Sequence, residues 1–95
     1  MDKSQVTSLL SRLGVREVNS GVFAGEFLPQ PGGPEITSTN PASGETLARV
    51  KTASRADYER AVGVAQKAFE SWRLVPPPRR GEVVRLIGEA LRKHK

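Results

Sequence analysis

The sequence predicts an α/β fold in which a short helix and a β-hairpin precede two long amphipathic helices. Three observations support this prediction. Residues 54–73 repeat apolar side chains every three or four positions, as a helix with one apolar face does. Residues 35–52 contain two candidate strands on either side of a turn that includes Pro and Gly. Three consecutive prolines at 76–78 then divide the first long helix from a second periodic run over residues 77–95.

The first 34 residues are interpreted as an N-terminal helix and loop. The helical repeat covers residues 4–13, and Gly14 stands where a glycine commonly caps a helix C-terminus. The apolar positions of this helix are Val6, Leu9, Leu10 and Leu13. Residues 15–27 are expected to contain two short extended pieces separated by turn formers, which are Asn19, Ser20 and Gly21. Residues 28–34, LPQPGGP, are predicted to form a loop because Pro and Gly dominate them.

A hairpin is predicted over residues 35–52, with strands at 35–39 and 45–50. Asn40 precedes Pro41, which biases it away from helix, and its side chain can bond its own backbone. Gly44 can adopt the positive φ that closes the turn. Asn40 and Ser43 are therefore interpreted as turn residues rather than ligand contacts.

The helix predicted over residues 54–73 begins with a capping box. Ser54 is the cap, and Asp57 three positions later adds a negative charge that suits a helix N-terminus. The apolar stripe is rich in alanine and consists of Tyr58, Ala61, Val62, Ala65, Ala68, Phe69 and Trp72. Such a stripe suits close packing against a sheet or another helix, so Trp72 is interpreted as a packing residue rather than a base-stacking one.

The helix predicted over residues 77–95 follows a rigid corner, because proline fixes φ and has no backbone N–H. Its apolar stripe consists of Val83, Val84, Ile87, Ala90 and Leu91. The other face offers ion pairs of Glu82 with Arg85, Arg85 with Glu89, and Glu89 with Arg92 and Lys93. No Gly or Pro ends this pattern, so we expect the helix to continue in a longer chain and Lys95 to be a truncation point.

Composition restricts the possible functions of these 95 residues. The chain contains no cysteine, which excludes disulfides, thiolate metal sites and a cysteine nucleophile. No apolar run approaches the roughly 20 residues that cross a bilayer, and the first residues do not resemble a signal peptide, so we expect a cytoplasmic protein. The net charge of +5 comes from cations that are mostly interleaved with Glu and Asp, which is typical of a solvated surface.

No catalytic, cofactor-binding or metal-binding residue is predicted within the chain. His94 is the single histidine and has no second ligand at a metal-binding spacing. Glu82 and Glu89 are interpreted as paired surface charges, and no base is available to activate Ser4, Ser8 or Ser11. Gly32-Gly33 is not followed by a helix N-terminus that could hold phosphate, and no nucleotide-binding glycine motif occurs.

Three motifs follow one another along the chain: NPASGETLARV, DYERAVGVAQKAFESW and PPPRRGEVVRLIGEAL. Their order covers most of the chain and resembles the N-terminal segment of the NAD-dependent aldehyde dehydrogenase superfamily. Phe69, Trp72, Pro78, Arg80 and Gly81 stand at the spacing of that family. The segment LSRLGVREVNSGVFAGEF is most like family seven, the antiquitin-like enzymes that oxidise α-aminoadipic semialdehyde, although Gly25-Glu26-Phe27 stands where that family has Gly-Ser-Trp.

The resemblance implies the N-terminal part of a Rossmann-like cofactor domain, incomplete as a stand-alone fold. It implies a homotetrameric enzyme of lysine catabolism that oxidises an aldehyde to a carboxylate with NAD, through a cysteine thiolate, an oxyanion-holding Asn and a Glu-activated water. All of these residues lie outside the matched segment, so the chain alone is expected to be structural, to be inactive and to bind no NAD. Its expected partners are the remainder of its own polypeptide and further copies of it, with no nucleic acid and no membrane.

Two alternatives remain open at the level of sequence. The chain could be a small basic module that binds nucleic acid through Arg79, Arg80, Arg85, Arg92, Lys93 and Lys95. It could also be a truncated assembly element.

Overall fold

The structure, a computed structural model, describes residues 2–95, which divide into two compact units. The first unit ends at Val64 and the second comprises Ala65–Lys95. The described chain forms three α-helices and three β-strands, which confirms the predicted α/β class. In chain order the elements are α1 (Lys3–Arg12), β1 (Val18–Ser20), β2 (Glu35–Thr39), β3 (Thr46–Lys51), α2 (Arg55–Trp72) and α3 (Pro77–Lys93). Within residues 2–95 no helix is both long and apolar enough to cross a membrane.

The three strands form one mixed sheet in the order β1-β3-β2. β2 and β3 pair antiparallel, which confirms the predicted hairpin, and their register shifts between Ser38 and Thr39. β1 pairs with β3 in parallel, with Val18 opposite Arg49. The sequence does not predict this parallel strand, because three residues are too few to show an alternating pattern.

Asn19 and Ser20 lie in β1, so their predicted place in a turn is wrong. The physical reason is that the Asn19 side chain bonds both to the preceding loop and to β3. Its oxygen accepts from the Arg16 N–H at 2.9 Å, and its amide nitrogen donates to the carbonyls of Arg16 and Arg49 at 2.8 and 3.1 Å. The side chain thus makes turn-like bonds while the backbone stays extended.

Helix α1 begins at Lys3, one residue earlier than predicted, because Asp2 caps it. The Asp2 carboxylate accepts from the Gln5 N–H at 2.8 Å, and the Gln5 side chain accepts from the Asp2 N–H at 2.9 Å. At the other end Gly14 has φ of 75°, as predicted for a glycine cap. The N–H groups of Gly14 and Val15 donate to the carbonyls of Ser11 and Leu10, which is the Schellman pattern.

The core of the first unit is small. The buried residues of the described chain are Val22, Leu28 and Ala48, with 4%, 6% and 8% of their surface exposed, and Pro31. The Leu28 N–H donates to the Val22 carbonyl at 3.0 Å, which fixes the start of the 28–34 loop. Because only four of the described residues are buried, hydrogen bonds between loops and strands hold much of this unit together.

Candidate functional site

The carboxylate of Asp57 joins the 28–34 loop to the start of α2. Its Oδ2 accepts from the backbone N–H of Gly32 at 2.7 Å and from that of Ser54 at 2.9 Å. The Ser54 hydroxyl accepts from the Asp57 N–H at 3.2 Å, so the predicted capping box is confirmed. The Gly32 bond, and then the Ser54 bonds, lower the pKa of Asp57 because they favour the charged carboxylate. The link to Gly32 spans 25 positions and has no signal in the sequence.

The Gly32-Gly33 pair does not form a phosphate cradle. The Gly32 N–H is bonded to Asp57, and the Gly33 N–H donates to the Thr52 carbonyl at 2.9 Å. The N–H and the hydroxyl of Thr52 both donate to the Pro34 carbonyl. A dinucleotide phosphate needs free backbone N–H groups and no neighbouring carboxylate, so this segment does not fit NAD.

The turn between β2 and β3 has the predicted local bonds. The Asn40 side-chain oxygen accepts from the Ala42 N–H at 2.9 Å, and the Ser43 hydroxyl accepts from the Glu45 N–H at 3.3 Å. Gly44 has φ of 76°, a conformation that L side chains rarely adopt. Asn40 and Ser43 therefore use their polar atoms to close the turn, as the sequence indicates.

The apolar stripes of α2 and α3 remain largely exposed, and neither helix contains a buried residue. On α2, Tyr58 is 58% exposed, Phe69 57% and Trp72 39%. On α3, Ile87 and Leu91 are 56% and 69% exposed. These exposed apolar faces are the candidate functional surface of the described chain.

The proline corner separates α2 from α3 as predicted. α2 ends at Trp72 and α3 begins at Pro77, with Pro76 as its N-cap and no side-chain capping bond. The Arg80 guanidinium Nε donates to the Val75 carbonyl at 3.0 Å, which satisfies a backbone acceptor within the corner. Arg80 thus has a local structural contact that the sequence pattern does not reveal.

Two of the ion pairs predicted on α3 are present. Glu82 pairs with Arg85 at 2.7 Å and Glu89 with Arg92 at 2.9 Å. The hydrogen bonds between Glu82 and Arg85 lower the pKa of the carboxyl and raise that of the guanidinium. Among the described residues, the predicted pairs of Glu89 with Arg85 and with Lys93 do not form. These contacts support the interpretation of Glu82 and Glu89 as paired surface charges.

The remaining concave surfaces of the first unit offer little chemistry. One cavity of about 480 Å³ is lined by Gly14, Arg16, Val18, Asn19, Ser20, Phe27, Leu28 and Pro29. The Asn19 side chain in it is already hydrogen-bonded to backbone. Residues 2–95 contain no group of three or more His, Cys, Asp or Glu that could hold a metal ion. That the catalytic, cofactor-binding and metal-binding residues lie outside this chain stays a prediction.

Comparison with known proteins decides the family. The model of the aldehyde dehydrogenase family matches residues 27–95, which include β2, β3, α2 and α3. The chain belongs to the aldehyde dehydrogenase family. Two of its relatives are the alpha-aminoadipic semialdehyde dehydrogenases of Rattus norvegicus and Bos taurus, which are 49% and 50% identical over 84 residues, 88% of this chain and 15% of each relative. Aldehyde dehydrogenase family 7 member A1 of Pisum sativum is 39% identical over 84 residues, 87% of this chain and 16% of that protein.

The resemblance to family seven of the aldehyde dehydrogenases is thereby confirmed. This aldehyde dehydrogenase chain spans about 15% of the length of the curated relatives that it matches. The matched segment contains the turn, the long helix and the proline corner on which the resemblance rests.

Proposed function

We propose that this chain is part of an NAD-dependent dehydrogenase that oxidises α-aminoadipic semialdehyde to the carboxylate in lysine catabolism. Membership of the aldehyde dehydrogenase family supports the reaction class. The substrate rests on 49% identity over 84 residues to a rat protein named for that aldehyde. This similarity across most of the chain is the observation that carries the proposal.

The role of the chain itself is structural. It has no cysteine to act as the thiolate nucleophile, and its one histidine, His94, is exposed after the end of α3. The exposed apolar faces of α2 and α3 are suited to pack on the remainder of a cofactor domain, with the β2–β3 hairpin at its margin. The chain alone is therefore proposed to be inactive.

The cofactor is proposed to bind residues beyond this chain. NAD, when bound, accepts the hydride that aldehyde oxidation releases. The N–H groups of Gly32 and Gly33 are engaged by Asp57 and Thr52, which supports a structural use of this glycine pair. The chain then supplies packing surfaces that support the cofactor domain without touching the cofactor.

The whole polypeptide is further proposed to be a cytoplasmic homotetramer that binds neither nucleic acid nor membranes. Light scattering of the purified full-length polypeptide measures the subunit number. A mass of one subunit would contradict the proposed assembly while leaving the reaction untouched.

Formation of NADH by the full-length polypeptide that carries this chain tests the reaction. With α-aminoadipic semialdehyde we expect NAD-dependent turnover, and with the 95-residue chain alone we expect none. Turnover only with a different aldehyde would refute the substrate. Absence of turnover with every aldehyde would refute the reaction.

A further inference from the structure

The net charge of the chain belongs entirely to its second unit. Residues 1–64 contain seven Lys and Arg and seven Asp and Glu, so their formal charges cancel. Residues 65–95 contain eight Lys and Arg and three Glu, so this unit carries the whole +5. The charge is therefore a property of the unit with the exposed α3 helix rather than of the chain as a whole.

Two of these cations are neutralised on one side of α3. Arg85 pairs with Glu82 and Arg92 pairs with Glu89, both three residues apart on the helix. Among the described residues, Arg79 and Lys93 take part in no ion pair, and both are exposed. Both lie where the apolar surface borders the paired face, since Arg79 stands three residues before Glu82 and Lys93 four residues after Glu89.

Two of the unpaired cations, Arg79 and Lys93, stand at the two ends of an apolar row. Steps of four, three, four and three residues place one line of side chains along α3: Arg79, Val83, Leu86, Ala90 and Lys93. A second row beside it begins with Arg80 and continues through Val84, Ile87 and Leu91. With a rise of about 1.5 Å per residue, Arg79 and Lys93 are about 21 Å apart along the helix.

We propose that the remainder of its own polypeptide covers this face of α3 with an apolar strip that carries a carboxylate near each end, about 21 Å apart. The apolar rows specify the centre of that surface, and Arg79 and Lys93 specify its acidic ends. The inference rests on the proposed function, because it takes the chain to be part of a longer dehydrogenase. The family model runs through the whole of α3, and the relatives are much longer than this chain.

The charge pattern disfavours other occupants. A second copy docking by the same face would bring cationic ends together, since each second unit carries +5. Nucleic acid would be contacted by phosphate-binding cations and would leave the apolar rows uncovered. An anionic lipid surface could contact both the cations and the apolar rows of α3, so binding to anionic vesicles is measured separately.

Charge reversal in the full-length polypeptide tests the inference. The variant pair is Arg79→Glu with Lys93→Glu, and the matched control is Lys3→Glu with Arg12→Glu, which makes the same change of charge on exposed residues of α1. We expect the α3 pair to lower the thermal midpoint by about 2 °C more than the control pair at low salt. The difference between the midpoint shifts of the two variant pairs should fall by about half at 0.5 M NaCl, because salt screens the charges. The milder pair Arg79→Gln with Lys93→Gln should fall between wild type and the reversal.

Three results would overturn the inference: equal shifts in the two variant pairs, a gap that salt does not reduce, or retention of the unaltered polypeptide on anionic vesicles or DNA at low salt. The thermal midpoints are measured without aldehyde and without NAD. Failure to oxidise α-aminoadipic semialdehyde would therefore refute the proposed function. The thermal midpoints would still show whether a surface with a carboxylate near each end covers α3.

Discussion

At the scale of single residues, Asp57 and Gly21 illustrate different limits of sequence reasoning. The capping role of Asp57 is predictable because Ser54 stands three positions before it. Its bond to Gly32 is not predictable, because it depends on where the 28–34 loop folds back. The sequence marks Gly21 as a turn former, yet its N–H donates to the Lys51 carbonyl at 2.9 Å, directly after the parallel strand pair.

The pKa of Asp57 gives a prediction about acid. Its carboxylate is favoured by N–H donors, so its pKa in the folded chain lies below the 3.8 of a free Asp. Stability from these bonds is therefore complete above pH 3.8 and is lost as the pH falls through the lower, folded value. Carbon-13 labelling of aspartate suits the measurement, because Asp2 and Asp57 are the only two in the sequence. A titration midpoint at or above 3.8 would show that the bonds are absent, and Ser54→Ala should move the midpoint toward 3.8.

Substitution of Gly21 tests the close approach of β1 to β3. A Cβ added there would lie 2.8 Å from the Lys51 carbonyl oxygen and 3.0 Å from Val50 Cγ1, so Gly21→Ala should cost about 1–3 kcal/mol. The matched control is Gly63→Ala, where an added Cβ meets nothing within 4 Å inside α2 and should stabilise by about 0.5–1 kcal/mol. Urea unfolding followed through the amide signals of β3 measures both. Equal effects would argue against the strand pairing.

At the scale of elements, local chemistry explains which parts are predictable. The hairpin, α2, α3 and the corner between the helices follow from turn formers, apolar periodicity and proline, all of which act within a few residues. β1 is the exception, since its three residues are extended because β3 offers a parallel partner. The placement of Asn19 and Ser20 failed for the same reason: tertiary pairing overrode their turn preference.

The hairpin turn gives a prediction about an element. Gly44 holds a φ of 76°, and nothing lies within 4 Å of an added Cβ, so backbone conformation alone decides the effect. Gly44→Ala should destabilise the hairpin by about 1–2 kcal/mol. Amide exchange of β2 and β3 measures this loss. Gly88→Ala, in open space within α3 with no positive φ, is the control and should leave that exchange unchanged. Unchanged exchange in Gly44→Ala would mean that another turn geometry closes the hairpin.

At the scale of the whole molecule, the exposed apolar faces set the behaviour of the isolated chain. The second unit has no buried side chain. A large apolar side chain that stays exposed lacks the roughly 1.5–3 kcal/mol of stabilisation that its burial would give. The purified chain should therefore be poorly folded in residues 65–95. Trp72, the one tryptophan, should emit as a solvent-exposed indole and show no cooperative change on heating. A sharp thermal transition in Trp72 fluorescence would contradict this expectation.

The sequence by itself determined the helices, the hairpin, the capping box of α2 and the family of the chain, because each depends on side chains only a few positions apart. Only the tertiary structure decided the parallel pairing of β1, the bond from Gly32 to Asp57 and the small size of the core. These features depend on residues far apart in the chain meeting in space. The structure also decided which of the ion pairs predicted on α3 form: Arg85 and Arg92 are paired, whereas among the described residues Glu89 pairs with neither Arg85 nor Lys93.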